Sequence, residues 1–444
     1  VDRLAHLDQG LNSVTKLRVA VIGGGWAGLA AAVELSAAGA GVTLFEAARQ
    51  LGGRARRVEH DGQILDNGQH ILIGAYRETL RLMQRVGADA GTRLMRLPLT
   101  LNHPAAGFHM RLPQLPAPWH LAIGLLSAKG SSLTEKFAAV RFMRSLQASN
   151  YRLSADCSVA EWLDRHQQHG RLRRFLWEPL CLSALNTPPE NASAQIYANV
   201  LRESLGGGRA DTDLLLPAAD LGAVFPDAAA RFISAHGGAI RLSTRVEAIA
   251  PALRIAEENF DHIILATAPQ HAATLLAPLG ATAAVAAQLA TYSYEPIGTV
   301  YAGYPPEVRL PCPMLGLEST NDQRLGQWAF DHGRLRAKPG LIAFVLSAHG
   351  NWDSRSNESL LTTLHRELEQ ALGTALPPPL WHQVIRERRA TFSCRPDLPR
   401  PAAQTPHRGL WLAGDYVCAD YPATLEGAVR SGVAAAAAMR GSGS

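Results

Sequence analysis

Charge, cysteine and aromatic side chains are all scarce in this chain of 444 residues. Charged residues make up 18% and aromatics 6%, against a hydrophobic share of 47%. So much apolar surface beside so little charge excludes a disordered chain. The net charge of +5 is thinly spread, with no arginine-rich arm or stripe, which excludes nucleic acid as the partner. The five cysteines, Cys157, Cys181, Cys312, Cys394 and Cys418, are never closer than 24 residues apart. That spacing excludes CxxC zinc sites, argues against a disulfide framework and fits a reducing, cytoplasmic setting. No segment approaches the roughly 18 apolar residues of a spanning helix, and the beginning lacks a signal-peptide core. What is abundant is alanine and leucine. The length exceeds the ~250–300 residues that one core organises, so two domains are expected.

Residues Val1 to Lys16 show no periodicity and are set aside as a lead-in; Gly441 to Ser444 read as a tail. From Arg18 the pattern sharpens. A β-branched run, Arg18 to Ile22, leads into Gly23-Gly24-Gly25-Trp26-Ala27-Gly28, an alanine-rich helical stretch from Leu29 to Ala38, and a second strand, Val42 to Phe45, ending in Glu46. This order is a dinucleotide fingerprint. Gly23 permits the tight turn, Gly25 lets backbone amides approach a pyrophosphate, and Gly28 allows close helix–strand packing, while the helix N-terminus supplies partial positive charge. Glu46 suits a ribose diol. A second glycine pair follows in Leu51-Gly52-Gly53-Arg54, then Asp66-Asn67-Gly68-Gln69-His70. Far downstream, a strand Leu410 to Ala413 delivers Gly414-Asp415, and a helix is expected to start near Thr424.

These blocks resemble the flavin-containing amine oxidase and phytoene desaturase superfamily, with its fingerprint, its GGR segment and its C-terminal flavin motif. The resemblance implies an α/β architecture: a Rossmann-like FAD-binding domain of the GR2 type interleaved with an α+β substrate-binding domain. Residues 17–90, 210–270 and 405–440 are expected to form the first, and 91–209 with 271–404 the second. Non-covalent FAD is the implied cofactor, held by Gly23, Gly25, Trp26, Ala27, Gly28, Glu46, Ala47, Gly53 and Arg54, by Gly68, Gln69 and His70, and by Val246 against the adenine. Gly414, Asp415, Pro422, Thr424, Leu425 and Ala428 complete the set. Cys394 invites comparison with flavin-tethering cysteines, but it precedes Gly414 by only 20 residues and lacks the surrounding glycines and tyrosines.

Within the superfamily, Asp66 to Tyr76 (DNGQHILIGAY), Trp177 to Thr187 (WEPLCLSALNT), Ala390-Thr391-Phe392 and Ala413 to Glu426 look like the hydroxysqualene dehydroxylases. Tyr416 departs mildly, where tryptophan is expected. The resemblance implies a reductive reaction in squalene and hopanoid biosynthesis: an allylic alcohol leaves as water, and hydride from reduced flavin quenches the cation. The protein must then donate a proton and exclude bulk water. His70 is the first candidate donor, with hydrogen bonding to the cofactor or backbone as its alternative. Asn186 and Glu178 are candidates facing the substrate cavity; a helix cap for Asn186 and a surface ion pair for Glu178 stand beside that role. Asp415 reads as a ribityl ligand. An oxidative carotenoid-type desaturase, an amine oxidase with Tyr416 and Tyr421 as a loose aromatic pair, and a flavin-bound lipid carrier remain as other readings.

Several features carry no chemistry. His166 and His169, expected on one helix from Glu161 to Arg174, lack metal-ligating partners. No metal site is expected. Asn191-Ala192-Ser193 matches a glycosylation sequon that a cytosolic chain leaves unused. Gly206 to Gly208 reads as a flexible connection. A long isoprenoid cannot travel through water, since burial is worth about 0.8 kcal/mol per methylene. It must come from a bilayer or from an upstream squalene-synthase-like enzyme. Residues 112–146 combine apolar Leu115 to Leu126, including Trp119 and Leu125, with Lys129, Lys136, Arg141 and Arg144. They are expected either to contact the membrane as a monotopic patch, on the inner face of the cytoplasmic membrane, or to cover the substrate cavity as a helix pair.

Overall fold

The computed structural model describes residues 16–317 and 325–441; the lead-in through residue 15 and the last three residues of the tail lie outside it. Its first sheet is fully parallel, in the order Ala239–Arg241, Gly41–Phe45, Arg18–Ile22, His262–Leu265, Leu410–Leu412. Strands separated by nearly 400 positions thus lie in one layer. Each is short and β-branched or leucine-rich, as strands covered on both faces require. Val19 and Val21 point into one core cluster and Ala20 and Ile22 into the other, the period of two expected of a strand.

Three helices cover one face: Trp26–Ala37, Pro226–Ala235 and Leu425–Gly441. The first and last pack so closely that a Cβ on Gly432 would stand 2.1 Å from the carbonyl oxygen of Ala27. Alanine richness therefore has a structural cause here: small side chains allow two helix backbones to approach. The helices begin at Trp26 and Leu425, three residues before and one after the expected positions.

A second, antiparallel sheet runs in the order Met314–Gly316, Trp328–Asp331, Leu341–Ser347, Tyr294–Gly303, Trp381–Phe392. Val300, Ala302, Ile342, Phe344 and Leu346 pack on Leu360, Leu364 and Leu368 of the helix Asn357–Leu372. The alternate residues of the same strands face the other way, toward the cavity described below. A small sheet joins Leu72–Ile73 and Leu94–Leu97 to Leu214–Pro217, so packing is continuous across the expected boundaries near residues 90 and 210.

Most of residues 119–204 are helical. The single helix expected from Glu161 to Arg174 is instead a helix Val159–Arg165, a short turn Gly170–Leu172 and a five-residue π-helical turn, Arg173–Trp177. His166 caps the first piece and His169 lies in the link, so the two share no helix face. The wide turn also answers to Pro179, whose ring would meet the Phe175 carbonyl in a regular helix. Gly206 to Gly208 is not a loose connection: Asp211 accepts from the Gly208 amide at 2.8 Å and pairs with Arg77. No helix among the described residues is long and apolar enough to cross a membrane.

Candidate active site

The glycines of the first turn are fixed by their backbones. Gly23 has φ +109°, and a Cβ there would meet the Ala266 carbonyl oxygen at 2.6 Å. A Cβ on Gly28 would stand 1.9 Å from the Gly23 carbonyl oxygen, so this position packs helix against turn rather than touching a ligand. The helix Trp26–Ala37 has no capping side chain and no acidic residue in its first turn. Its orphan amides and partial positive charge face a large cavity lined by Gly23, Gly25, Trp26 and Ala27. That is the donor set an anionic pyrophosphate needs.

The cavity has a volume of about 980 Å³ and continues past this turn along both sheets. Glu46 and Ala47 line it, and the Glu46 carboxylate accepts from the amides of Gly24 and Ala48, both at 2.7 Å. Gly53 and Arg54 follow on the wall; the Arg54 guanidinium bonds Asp415 at 2.7 Å and the Ala390 carbonyl. Val246 lies on the same wall outside any strand or helix. Pro422, Thr424 and Leu425 bring the N-terminus of the last helix to the far side. Gly414 and Ala428 do not line the cavity: the Gly414 amide donates to Ser431 Oγ, and the Ala428 carbonyl accepts from that hydroxyl. They hold the turn that carries Asp415 against the last helix.

Gly68, Gln69 and His70 reach the cavity from a turn that is held from behind. Asp66, buried, pairs with Arg336 at 2.5 Å and accepts from the Leu221 amide, while its carbonyl receives the Tyr301 hydroxyl. Burial raises the Asp66 carboxyl against the opposing pull of Arg336. His332 donates through Nε2 to the Gln69 side-chain oxygen at 3.0 Å, and burial together with Arg336 holds its pKa well below the usual value. His70 Nδ1 lies 3.0 Å from the Gly68 carbonyl, so Nδ1 carries the proton and Nε2 is a bare acceptor in the neutral ring. Burial lowers the His70 pKa and favours that neutral form.

Beyond this turn the wall becomes apolar: Leu99, Leu101, Leu176, Leu180, Met314, Trp328, Phe330, Val345 and Ile385. Asn186 lines it too, but its amide is fully engaged. In left-handed conformation (φ +46°) it ends the helix Glu178–Leu185, donates to Thr391 Oγ1 at 3.0 Å and accepts from the Ala348 amide at 2.8 Å. It latches that helix to the antiparallel sheet, the capping alternative of the sequence reading. Glu178 is absent from the wall and bonds Arg173 Nε at 2.7 Å, which leaves it the ion-pair role.

Three residues of this site were not singled out from sequence. Glu203 lines the cavity and accepts from the Tyr421 hydroxyl at 3.0 Å, with Arg202 and Arg430 within 3.6 Å. His332 and Arg336 act from behind Gln69 and Asp66. Nothing local marks them; Glu203 meets Tyr421 across 218 positions and His332 meets Gln69 across 263. Of the expected aromatic pair only Tyr421 reaches the cavity, because Tyr416 is fully buried against Gly414. Cys394 is also off the wall, with its thiol pushed up to about 12 by burial. Among the described residues no cluster of metal-ligating groups occurs.

The family model described as flavin containing amine oxidoreductase matches residues 26–440. The chain belongs to that family. It is an FAD-dependent oxidoreductase of α/β fold. Among similar sequences is the hydroxysqualene dehydroxylase of Rhodopseudomonas palustris, 29% identical, with 94% of this chain and 97% of the relative covered. Another, from Sinorhizobium fredii and of the same name, is 28% identical over the same shares. A solved oxidoreductase structure from Methanosarcina mazei superposes with a TM-score of 0.70 at 18% identity, covering 94% of this chain and 99% of that one. The last likeness is one of fold.

Proposed function

We propose that this protein reduces hydroxysqualene to squalene, exchanging the allylic hydroxyl for hydrogen. The carrying observation is one continuous cavity, with uncapped helix amides and the Arg54–Asp415 pair at one end and leucine, methionine and aromatic side chains at the other. The names of the full-length relatives support the same substrate. On this reading residues 17–90, 210–270 and 405–440 hold the cofactor, and 91–209 with 271–404 shape the isoprenoid site.

FAD, bound without a covalent tether, supplies the hydride when reduced. The protein's own groups do the rest. The amides at Gly25 to Ala27 hold the pyrophosphate, Glu46 the ribose and Asp415 the ribityl chain. The apolar wall binds the chain and keeps water from the allylic cation. His70, protonated at Nε2, gives its proton to the departing hydroxyl, so that alcohol, proton and hydride become hydrocarbon and water. Because burial disfavours the imidazolium, turnover rises as pH falls toward the depressed His70 pKa. Gln69, fixed by His332, donates to the His70 backbone carbonyl and so holds the backbone that carries that ring. The substrate is collected from the inner face of the cytoplasmic membrane, directly or from an upstream squalene-synthase-like enzyme.

Anaerobic mixing of dithionite-reduced protein with hydroxysqualene tests the reading. Flavin reoxidation at the rate of squalene formation is expected. Failure to reoxidise, with oxidation of a carotenoid precursor or an amine by the oxidised protein, rejects it for one of the oxidative readings.

A further inference from the structure

Nine large hydrophobic side chains stand exposed among the described residues, and five of them, Trp119, Ile123, Leu126, Leu133 and Phe137, fall on two consecutive helices. These helices, Trp119–Ser127 and Leu133–Ala148, pack on each other. Trp119, Ile123 and Leu126 follow a spacing of four and three, and Leu133 and Phe137 one of four, so each set forms a stripe on one helix face. The opposite faces are already satisfied: Leu121 and Leu125 on the first helix, and Phe142, Met143 and Leu146 on the second, are buried. Leu125, expected at the membrane patch from sequence, therefore belongs to the core. The first helix carries no charged residue and is apolar all round, a pattern that water alone does not favour.

Charge singles out the same region. Between Arg111 and Ala155 the chain has six basic residues and one acidic residue, a surplus equal to the whole net charge of +5. The rest of the sequence is balanced. Arg111, Lys129, Arg141, Arg144 and Arg152 are exposed, whereas the acidic residue, Glu135, is engaged by the amides of Ser132 and Arg171. Exposed aromatic and aliphatic side chains in the one stretch of sequence that carries the surplus of exposed cations match an anionic lipid surface.

We infer that the hairpin of these two helices docks on an anionic bilayer, with Trp119, Ile123, Leu126, Leu133 and Phe137 entering the headgroup boundary. The use of this surface rests on the isoprenoid reading of the cavity, but docking itself is measurable without substrate. Full-length, FAD-loaded protein is sedimented with vesicles of phosphatidylcholine alone or mixed with phosphatidylglycerol, as wild type, as Trp119→Ser/Ile123→Ser/Phe137→Ser, and as Lys129→Gln/Arg141→Gln/Arg144→Gln. The mixed vesicles bind wild type more tightly than phosphatidylcholine does, and salt weakens that binding. The serine variant needs at least tenfold more lipid for half-binding, and the glutamine variant loses the preference for phosphatidylglycerol, with flavin spectrum and thermal midpoint unchanged. Wild type that stays in the supernatant, or variants that bind as wild type does, overturn the inference. So does a lipid-free dimer that the serine variant abolishes while vesicle binding persists. If the dehydroxylation reading fails, vesicle binding is unaffected, so the two failures are distinguishable.

Discussion

The two ends of the cavity are built from different materials. At the parallel sheet the wall is backbone: glycines, among them Gly23 and Gly52 whose Cβ positions are filled by carbonyls, an uncapped helix, and one ion pair. At the antiparallel sheet it is side chain: leucine, methionine, valine, isoleucine and aromatics drawn from six separate stretches of sequence. A backbone site tolerates almost no substitution and recognises one shape of ligand. A side-chain site can be resized one methylene at a time, which suits a long flexible hydrocarbon with few groups to hold.

The sharpest contrast is expected from Gly28→Ala. Its Cβ would meet a backbone carbonyl at 1.9 Å, which cannot rotate away. We expect a loss of at least about 2 kcal/mol in folding stability, with flavin content well below stoichiometric. A variant as yellow and as stable as wild type would erase the distinction between the two ends. Next is acid sensitivity at the side-chain end, where burial among Phe108, Phe175 and Trp328 holds His103 down to about 4. Its folded pKa is depressed, so the unfolded chain takes the proton first. The neutral form is fully favourable above the ordinary histidine pKa near 6.5, and stability is lost as pH falls from there toward 4. At pH 5 this histidine alone weakens the fold by about 2 kcal/mol. His103→Phe should narrow the difference in urea midpoint between pH 7.5 and pH 5; an unchanged difference sends the acid sensitivity elsewhere.

Asp415→Asn removes one charge of the Arg54 pair, which is partly exposed, and should cost about 1–2 kcal/mol in FAD affinity. A flavin titration reads this as a roughly tenfold weaker Kd, and a substrate-binding defect with intact flavin affinity would misplace Asp415. Leu180→Ala should have the smallest effect. It is expected to lower kcat/KM by about fivefold through KM, near 1 kcal/mol, without changing flavin content. Flavin loss in this variant would mean that the two ends are not separable.

The same contrast explains what could be read in advance. Gly23, Gly25, Gly28, Glu46 and Asp415 are each forced by a local geometric need, so a short pattern reveals them. Asn186 and Glu178 stand in an equally distinctive segment, but which of them turns inward depends on a π-helical turn and a left-handed cap that spacing does not encode. Glu203 and His332 are ordinary residues in ordinary helices, and their meaning arises from partners more than 200 positions away. The exposed stripe at Trp119 lay between these extremes. Its composition is distinctive, and only burial separates Leu125, which faces the core, from Leu126, which does not.

The central claim is that hydride passes from reduced FAD to the carbon that carried the hydroxyl. A single anaerobic turnover in deuterium oxide tests it most directly, because the transferable hydrogen of reduced flavin exchanges with solvent. The account predicts squalene with one deuterium at that carbon, formed as the flavin reoxidises. Unlabelled squalene, or recovery of the alcohol from a protein that stays reduced, would contradict it.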